Sequence, residues 1–203
     1  MKIESLWPIP VGITKIEENI SDTILDFCKE DERNAVSTGK NHASKNKYIL
    51  NSKEFSHLKT ILHEKVNEYF NSIFSPSNDL SLVITQSWLN YVGEKESHHN
   101  HRHPNSFISG VFYINTQEDD RITFYNEPYF PFDIPTKQYN RFNSQSWWFP
   151  TEKNTLILFP SSLEHGIKQR FTKDNTRISL AFNTFFEGTL GEYETTTELK
   201  VDK

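Results

Sequence analysis

The spacing of apolar positions changes near residue 80, and the change divides the chain. Ahead of it, Ile20, Ile24, Phe27 and Cys28 recur at helical spacing behind the candidate N-caps Asn19 and Ser21. This predicts a short amphipathic helix running into Lys29-Glu30-Asp31-Glu32-Arg33. Phe55, Leu58, Leu62, Val66, Tyr69, Phe70 and Ile73 fall on one face of a second, longer helix. Ser52 is its expected N-cap, Glu54 lies in its first turn, and Ser75-Pro76-Ser77-Asn78-Asp79 ends it. Between the helices, residues 34 to 51 are polar, contain Gly39 and read as a loop. The opening Leu6-Trp7-Pro8-Ile9-Pro10-Val11-Gly12-Ile13 reads as an edge strand or an arm, because proline withholds a ladder donor.

Beyond Leu80 the pattern is that of strands rich in β-branched and aromatic residues, over 82–92, 107–114, 121–125, 155–159, 166–169 and 177–186. None is followed by a helix of crossover length. The expected fold is therefore mainly β and antiparallel, a sandwich or jelly roll, with the N-terminal helices packed outside. The stretch from Tyr125 to Trp148 is too long for a plain hairpin and reads as a lid-like excursion. The tail after Gly188 reads as a loose arm.

Composition sharpens this picture. Only 35% of the 203 residues are apolar, yet 14% are aromatic, so the core must be built largely from rings. The length suits a single domain over 1–203, with a β core over about 82–186 and a helical layer over about 17–74. The net charge of −5 and the absence of a Lys/Arg block give no support to a nucleic-acid partner. Cys28 is the lone cysteine, and no apolar run has the length of a membrane span or a signal-peptide core, so a reducing cytoplasm is the expected compartment. Oligomeric state is left open, a homodimer being one option.

The chemistry concentrates in Ser97-His98-His99-Asn100-His101-Arg102-His103-Pro104. On an extended backbone His99, His101 and His103 share one face and offer imidazoles to one metal ion, while His98 points away. A solvated, histidine-rich loop is the plainer alternative. Later, Thr155-Leu156-Ile157-Leu158-Phe159-Pro160 delivers His165 through a short turn. In the strand Arg177-Ile178-Ser179-Leu180-Ala181-Phe182-Asn183, alternation sets Arg177, Ser179 and Ala181 on one face, a guanidinium fork with a hydroxyl beside it, suited to a carboxylate.

Three motifs in order, His-x-His-Pro-Asn-Ser-Phe-Ile-Ser-Gly-Val-Phe-Tyr-Ile, Phe-Pro-Ser-x-x-x-His and Arg-Ile-Ser-x-x-Phe-Asn, together resemble the iron(II) and 2-oxoglutarate-dependent oxygenases. The likeness is to the small oxygenases of marine bacteria and their phages, and covers about residues 82 to 186; the opening Trp7-Pro8-Ile9-Pro10-Val11 is also similar to that group. It implies a double-stranded β-helix of cupin-like jelly-roll form, with Fe(II), the cosubstrate 2-oxoglutarate and O2. The implied activity is hydroxylation of a small molecule or of a peptide or protein side chain, with release of succinate and CO2. By position, the resemblance implies His101 and His165 as metal ligands, Arg177 with Ser179 as the 2-oxoglutarate anchor, and Tyr113 against the cosubstrate. The family's carboxylate, expected two residues after His101, is His103. Iron is then held by three imidazoles, by two and water, or in the register His99/His101. His101 with His103 is the favoured register.

Other residues carry two readings each. Trp88 and Asn90 share a strand face, so Asn90 is a candidate to reach the cosubstrate, whereas Trp88 suits a core. Asn183 suits a strand end. Trp147, Trp148, Tyr125, Tyr129 and Phe130 either line a substrate pocket or pack. Asp119 and Asp120 suit a hairpin turn, and Glu164 a solvated turn or a place beside His165. Two rival functions remain open: a three-histidine metal enzyme that uses no keto acid, and a jelly-roll interaction module without catalysis.

Overall fold

The computed structural model describes residues 1–126, 132–169, 175–194 and 197–202. An exposed arm leads into β1 (Gly12–Lys15), followed by α1 (Asp22–Asn34), the short strands β2 (Val36–Ser37) and β3 (His42–Ala43), two 3-10 turns and α2 (Ser56–Phe74). The strands that follow are β4 (Ser81–Val92), β5 (His98–His101), β6 (Ile108–Asn115), β7 (Arg121–Tyr125), β8 (Ser146–Pro150), β9 (Thr155–Pro160), β10 (Glu164–Ile167), β11 (Arg177–Leu190) and β12 (Leu199–Val201).

Every pairing between these strands is antiparallel, as the lack of crossover helices predicts. The large sheet runs β1-β9-β6-β11-β4-β3-β2 with β12 added to β11, and the small sheet runs β5-β10-β7-β8. Together they make the jelly roll.

The large sheet is covered on both faces, which explains why β6 and β9 are almost continuously apolar. On one face Phe112, Ile114, Leu156, Leu158, Leu180 and Phe182 join Leu58, Leu62, Val66 and Phe70, the stripe that α2 repeats at every fourth residue. On the other, Val111, Tyr113, Ile157 and Phe159 meet Ile122 and Phe124 of the small sheet. Each fully buried α2 side chain contributes about 1.5–3 kcal/mol, so packing rather than propensity holds α2 in place. Ser21 caps α1, its Oγ accepting from Ile24 N at 3.3 Å, and the Tyr91 hydroxyl ties that helix to β4 through Asp31 at 2.8 Å.

Several expectations need correction. Residues 34–51 are not a free loop: β3 pairs with β4, Leu89 N donates to Ser44 Oγ at 3.0 Å, and Leu50 N donates to Ser87 Oγ at 2.9 Å. The segment covers the edge of β4, where bare ladder groups would otherwise face water. Ser52 begins a 3-10 turn instead of capping the long helix, which starts four residues later without a side-chain cap. The tail is not loose throughout, since β11 extends to Leu190 and pairs with β12. The opening segment is an arm first and an edge strand only from Gly12. The 125–148 excursion ends in β8, which pairs with β7.

Phe70 sits at the centre of the helix–sheet contact, with its ring meeting Phe107 at 6.1 Å and Phe186 at 6.3 Å. Phe70→Ala is expected to destabilise the protein by about 3–5 kcal/mol, read as a fall in the denaturant midpoint with an unchanged slope. A loss below about 1 kcal/mol would contradict this packing account.

Candidate functional site

The histidine cluster is shaped by one irregularity. His101 pairs with His165, but His98 pairs with Ile167, so three steps along β5 match two along β10. The extra residue is a β-bulge, which breaks the two-residue alternation. His98, expected to point away, therefore lines the same narrow cavity as His101, His103 and His165. His98 and His101 stack with ring centroids 4.5 Å apart. His99, the alternative ligand, is exposed and off that face. Close approach of the strands requires Gly166, where an added Cβ would lie 2.5 Å from Asn100 Oδ1 and 3.0 Å from the His98 carbonyl oxygen.

The ligand atoms of His101, His103 and His165 lie within 4.8 Å of one another. Each ring is held through Nδ1. His101 Nδ1 is 2.8 Å from the His99 carbonyl oxygen, and His165 Nδ1 is 3.0 Å from that of Leu163. His103 Nδ1 lies 2.6 Å from Asn183 Oδ1 and 2.8 Å from Ser109 Oγ. Carbonyl and amide oxygens only accept, so each Nδ1 carries the proton and each Nε2 keeps its lone pair. His103 Nε2 is buried without a partner.

Burial lowers all three imidazoles from their usual 6.5, His103 to about 4 and His165 to about 3, with the neighbouring His101 adding repulsion to both. Burial likewise lowers His98. At neutral pH the cluster is uncharged and fit to ligate a cation.

Facing the cluster is the inner side of the large sheet. The register sets Asn90, Ser179 and Tyr113 in one row across β4, β11 and β6, with Trp88, Ala181 and Val111 in the next. Arg177 is 1% exposed. Its Nε donates to Asp120 Oδ2 at 2.7 Å, its Nη1 donates to Ser179 Oγ at 3.2 Å, and its Nη2 has no partner. The guanidinium lies 4.8 Å from the Tyr113 ring centre, and the buried Tyr113 hydroxyl also lacks a hydrogen-bonding partner. Burial pushes that phenol above its ordinary range, with the Arg177 charge opposing. An unsatisfied buried polar group costs about 1–3 kcal/mol, and three of them, on His103, Arg177 and Tyr113, belong to residues lining one cavity. This donor set fits a metal ion beside a small carboxylate-bearing ligand.

Not every expected residue joins the site. Asn90 and Trp88 line the cavity, the Trp88 ring 5.6 Å from that of His103. Trp147 and Trp148 lie on the edge strand β8 outside it, with Arg121 4.7 Å from the Trp148 ring centre. Tyr125 is half-buried on β7, and Tyr129 and Phe130 lie outside the described residues. Glu164 pairs with Arg102 at 3.4 Å. Asp120 lies in the turn before β7, as expected, but its side chain is wholly buried against Arg177, a role that the sequence pattern does not show. Asn183 is more than a strand-end residue, because it orients His103.

Residues 86–183 match the sequence-family model described as "Putative 2OG-Fe(II) oxygenase". Over those residues the chain is similar to the 2OG-Fe(II) oxygenases. This family is one of enzymes, and the matched segment contains all three clustered histidines and Arg177. No curated protein matches the sequence. The fold is similar to that of a 2OG-Fe(II) oxygenase family oxidoreductase from Burkholderia pseudomallei, at 10% identity and a TM-score of 0.54 over 85% of this chain and 84% of that one. It is also similar to HygX from Streptomyces hygroscopicus with nickel, 2-oxoglutarate and hygromycin B bound, at 12% identity and 0.53 over 87% and 82%. A third is a Pseudomonas putida prolyl-4-hydroxylase, at 9% identity and 0.55 over 86% and 92%.

The lowered imidazoles set a pH dependence for the metal-free protein. Above about 6.5 the folded and unfolded states both carry neutral histidines; below it the unfolded chain takes up protons that the folded site refuses until about 4 for His103 and about 3 for His165. Stability is expected to fall progressively across that window, read as denaturant midpoints from about pH 7.5 down to about pH 4.5. A flat profile would contradict the buried, neutral cluster.

Proposed function

We propose that the protein is an iron(II)- and 2-oxoglutarate-dependent hydroxylase in which His101, His103 and His165 hold the metal and Arg177 holds the cosubstrate. The observation that carries this reading is the convergence of three proton-fixed imidazoles and an unpartnered guanidinium nitrogen on one buried cavity. When bound, iron(II) with 2-oxoglutarate and O2 supplies the oxidising chemistry, giving succinate and CO2 as one oxygen atom passes to the substrate.

The chain's residues do the rest. The three histidines would hold the metal through Nε2, and a three-residue set would leave room for cosubstrate and oxygen. Asn183 and Ser109 fix the His103 ring, and the His99 and Leu163 carbonyls fix the other two. Arg177 donates its free Nη2 hydrogens to the far carboxylate of 2-oxoglutarate, with Ser179, the Tyr113 hydroxyl and Asn90 as the adjoining polar groups. Val111, Ile122, Ile167 and Ala181 keep the cavity apolar between these poles, which strengthens every charged contact inside it.

A small molecule or an exposed peptide or protein side chain is the substrate class this reading supports. Folds of this kind accompany hygromycin B in HygX and a prolyl-4-hydroxylase activity. Residues 1–203 act as one catalytic domain, since the helices share a continuous core with the large sheet. Burial pushes the lone Cys28 thiol up to about 12, so it stays protonated and inert, in keeping with a reducing cytoplasm. Among the described residues no helix is long and apolar enough to cross a membrane.

Two variants separate the roles. His165→Ala is expected to lose tight nickel(II) binding by calorimetry, whereas Arg177→Ala retains nickel and loses 2-oxoglutarate by about tenfold or more. Nickel binding unchanged by His165→Ala would contradict the ligand assignment. Cosubstrate affinity unchanged by Arg177→Ala would favour a three-histidine enzyme that uses no keto acid.

A further inference from the structure

Asp120 is held from every side. Its Oδ2 accepts from Arg177 Nε at 2.7 Å and its Oδ1 from Arg121 N at 2.8 Å, while its backbone N donates to Gln117 O at 3.2 Å and its carbonyl accepts from Thr151 N at 2.9 Å. The ion pair is sealed, with side-chain exposures of 1% for Arg177 and 0% for Asp120. A buried pair of this kind rarely adds stability over apolar packing, so stability alone does not account for it.

Charge arithmetic supplies an account, resting on the iron and 2-oxoglutarate reading above. In a site with two histidines and one carboxylate, the ligand carboxylate cancels one positive charge, so a divalent ion, an anchoring arginine and a keto diacid dianion sum to zero. Here His103 stands in the ligand position and contributes no charge. Asp120 restores the missing negative charge from behind Arg177, and the filled site is again neutral. We propose that Asp120 is the relocated carboxylate of this site, a positioning residue that balances its charge and aims the Arg177 guanidinium so that Nη2 faces the cavity.

The placement has a consequence for affinity. A negative charge on the metal strengthens ion binding directly and opposes the dianion at close range. Moved behind the arginine, it leaves the metal more positive and more attractive to the keto acid's chelating end, while Arg177 remains oriented for the distal end. Metal and cosubstrate affinities are thereby traded against one another by the position of a single carboxylate.

The test is a four-member cycle of wild type, His103→Asp, Asp120→Asn and the double variant, with nickel(II) affinity and 2-oxoglutarate affinity of the nickel-loaded protein both measured by calorimetry. His103→Asp should bind nickel more tightly and 2-oxoglutarate about tenfold more weakly, because the added negative charge opposes the dianion. Adding Asp120→Asn should bring 2-oxoglutarate back to within about threefold of wild type. Additive losses in the double variant would assign Asp120 a purely structural role and overturn the proposal. So would His103→Asp binding 2-oxoglutarate as well as wild type, a result that does not depend on Asp120→Asn folding. Wild-type protein that takes up no nickel, or takes up nickel without 2-oxoglutarate, would overturn the underlying reading and this one with it.

Discussion

A hydrogen bond of 2.6 Å between His103 Nδ1 and Asn183 Oδ1 joins the two halves of the site. His101 and His165 belong to β5 and β10 of the small sheet, whereas Asn183 lies on β11 of the large one. His103 sits in the connection after β5, and its backbone N donates to Ser161 O at 2.9 Å. Without the link to Asn183 and Ser109, the third imidazole would be free to rotate, and the tautomer of its ring would be unspecified. Ser109 and Ser161 extend that link as a buried hydroxyl network, in which a single missing partner would leave several groups unsatisfied. The arrangement of the three imidazoles is in this sense a property of sheet-on-sheet packing as much as of the histidine motif.

Electrostatics complete the picture. Burial keeps the histidines neutral, and the buried Arg177 lining the cavity is matched by Asp120 at its back. What remains open toward the cavity is a set of lone pairs at one end and of hydrogen-bond donors at the other. That polarity is the one a chelated keto diacid presents in reverse.

The parts of the structure that could be read in the sequence are those governed by local periodicity. The fourfold repeat of Leu58, Leu62, Val66 and Phe70 announced α2, and the β-branched and aromatic runs of β6 and β9 announced strands. Alternation along β11 placed Arg177, Ser179 and Ala181 together on the cavity side. What escaped was set by partners distant in sequence. Asp120 looks like a turn residue until Arg177, 57 positions later, is brought against it. The strands of the 34–51 segment are two residues each, too short to show a period, and are held by backbone and hydroxyl bonds to β4. The bulge in β5 turned His98 inward because Gly166 permits close approach, a property of the neighbouring strand that no spacing within the cluster encodes.

The central claim is that one cavity binds metal and 2-oxoglutarate together. Its most direct test is anaerobic titration of the iron(II)-loaded protein with 2-oxoglutarate, followed by visible absorption. A weak metal-to-ligand charge-transfer band that grows and saturates as the keto acid chelates the iron is the predicted result. Iron demonstrably bound with no such band at saturating 2-oxoglutarate would contradict the account.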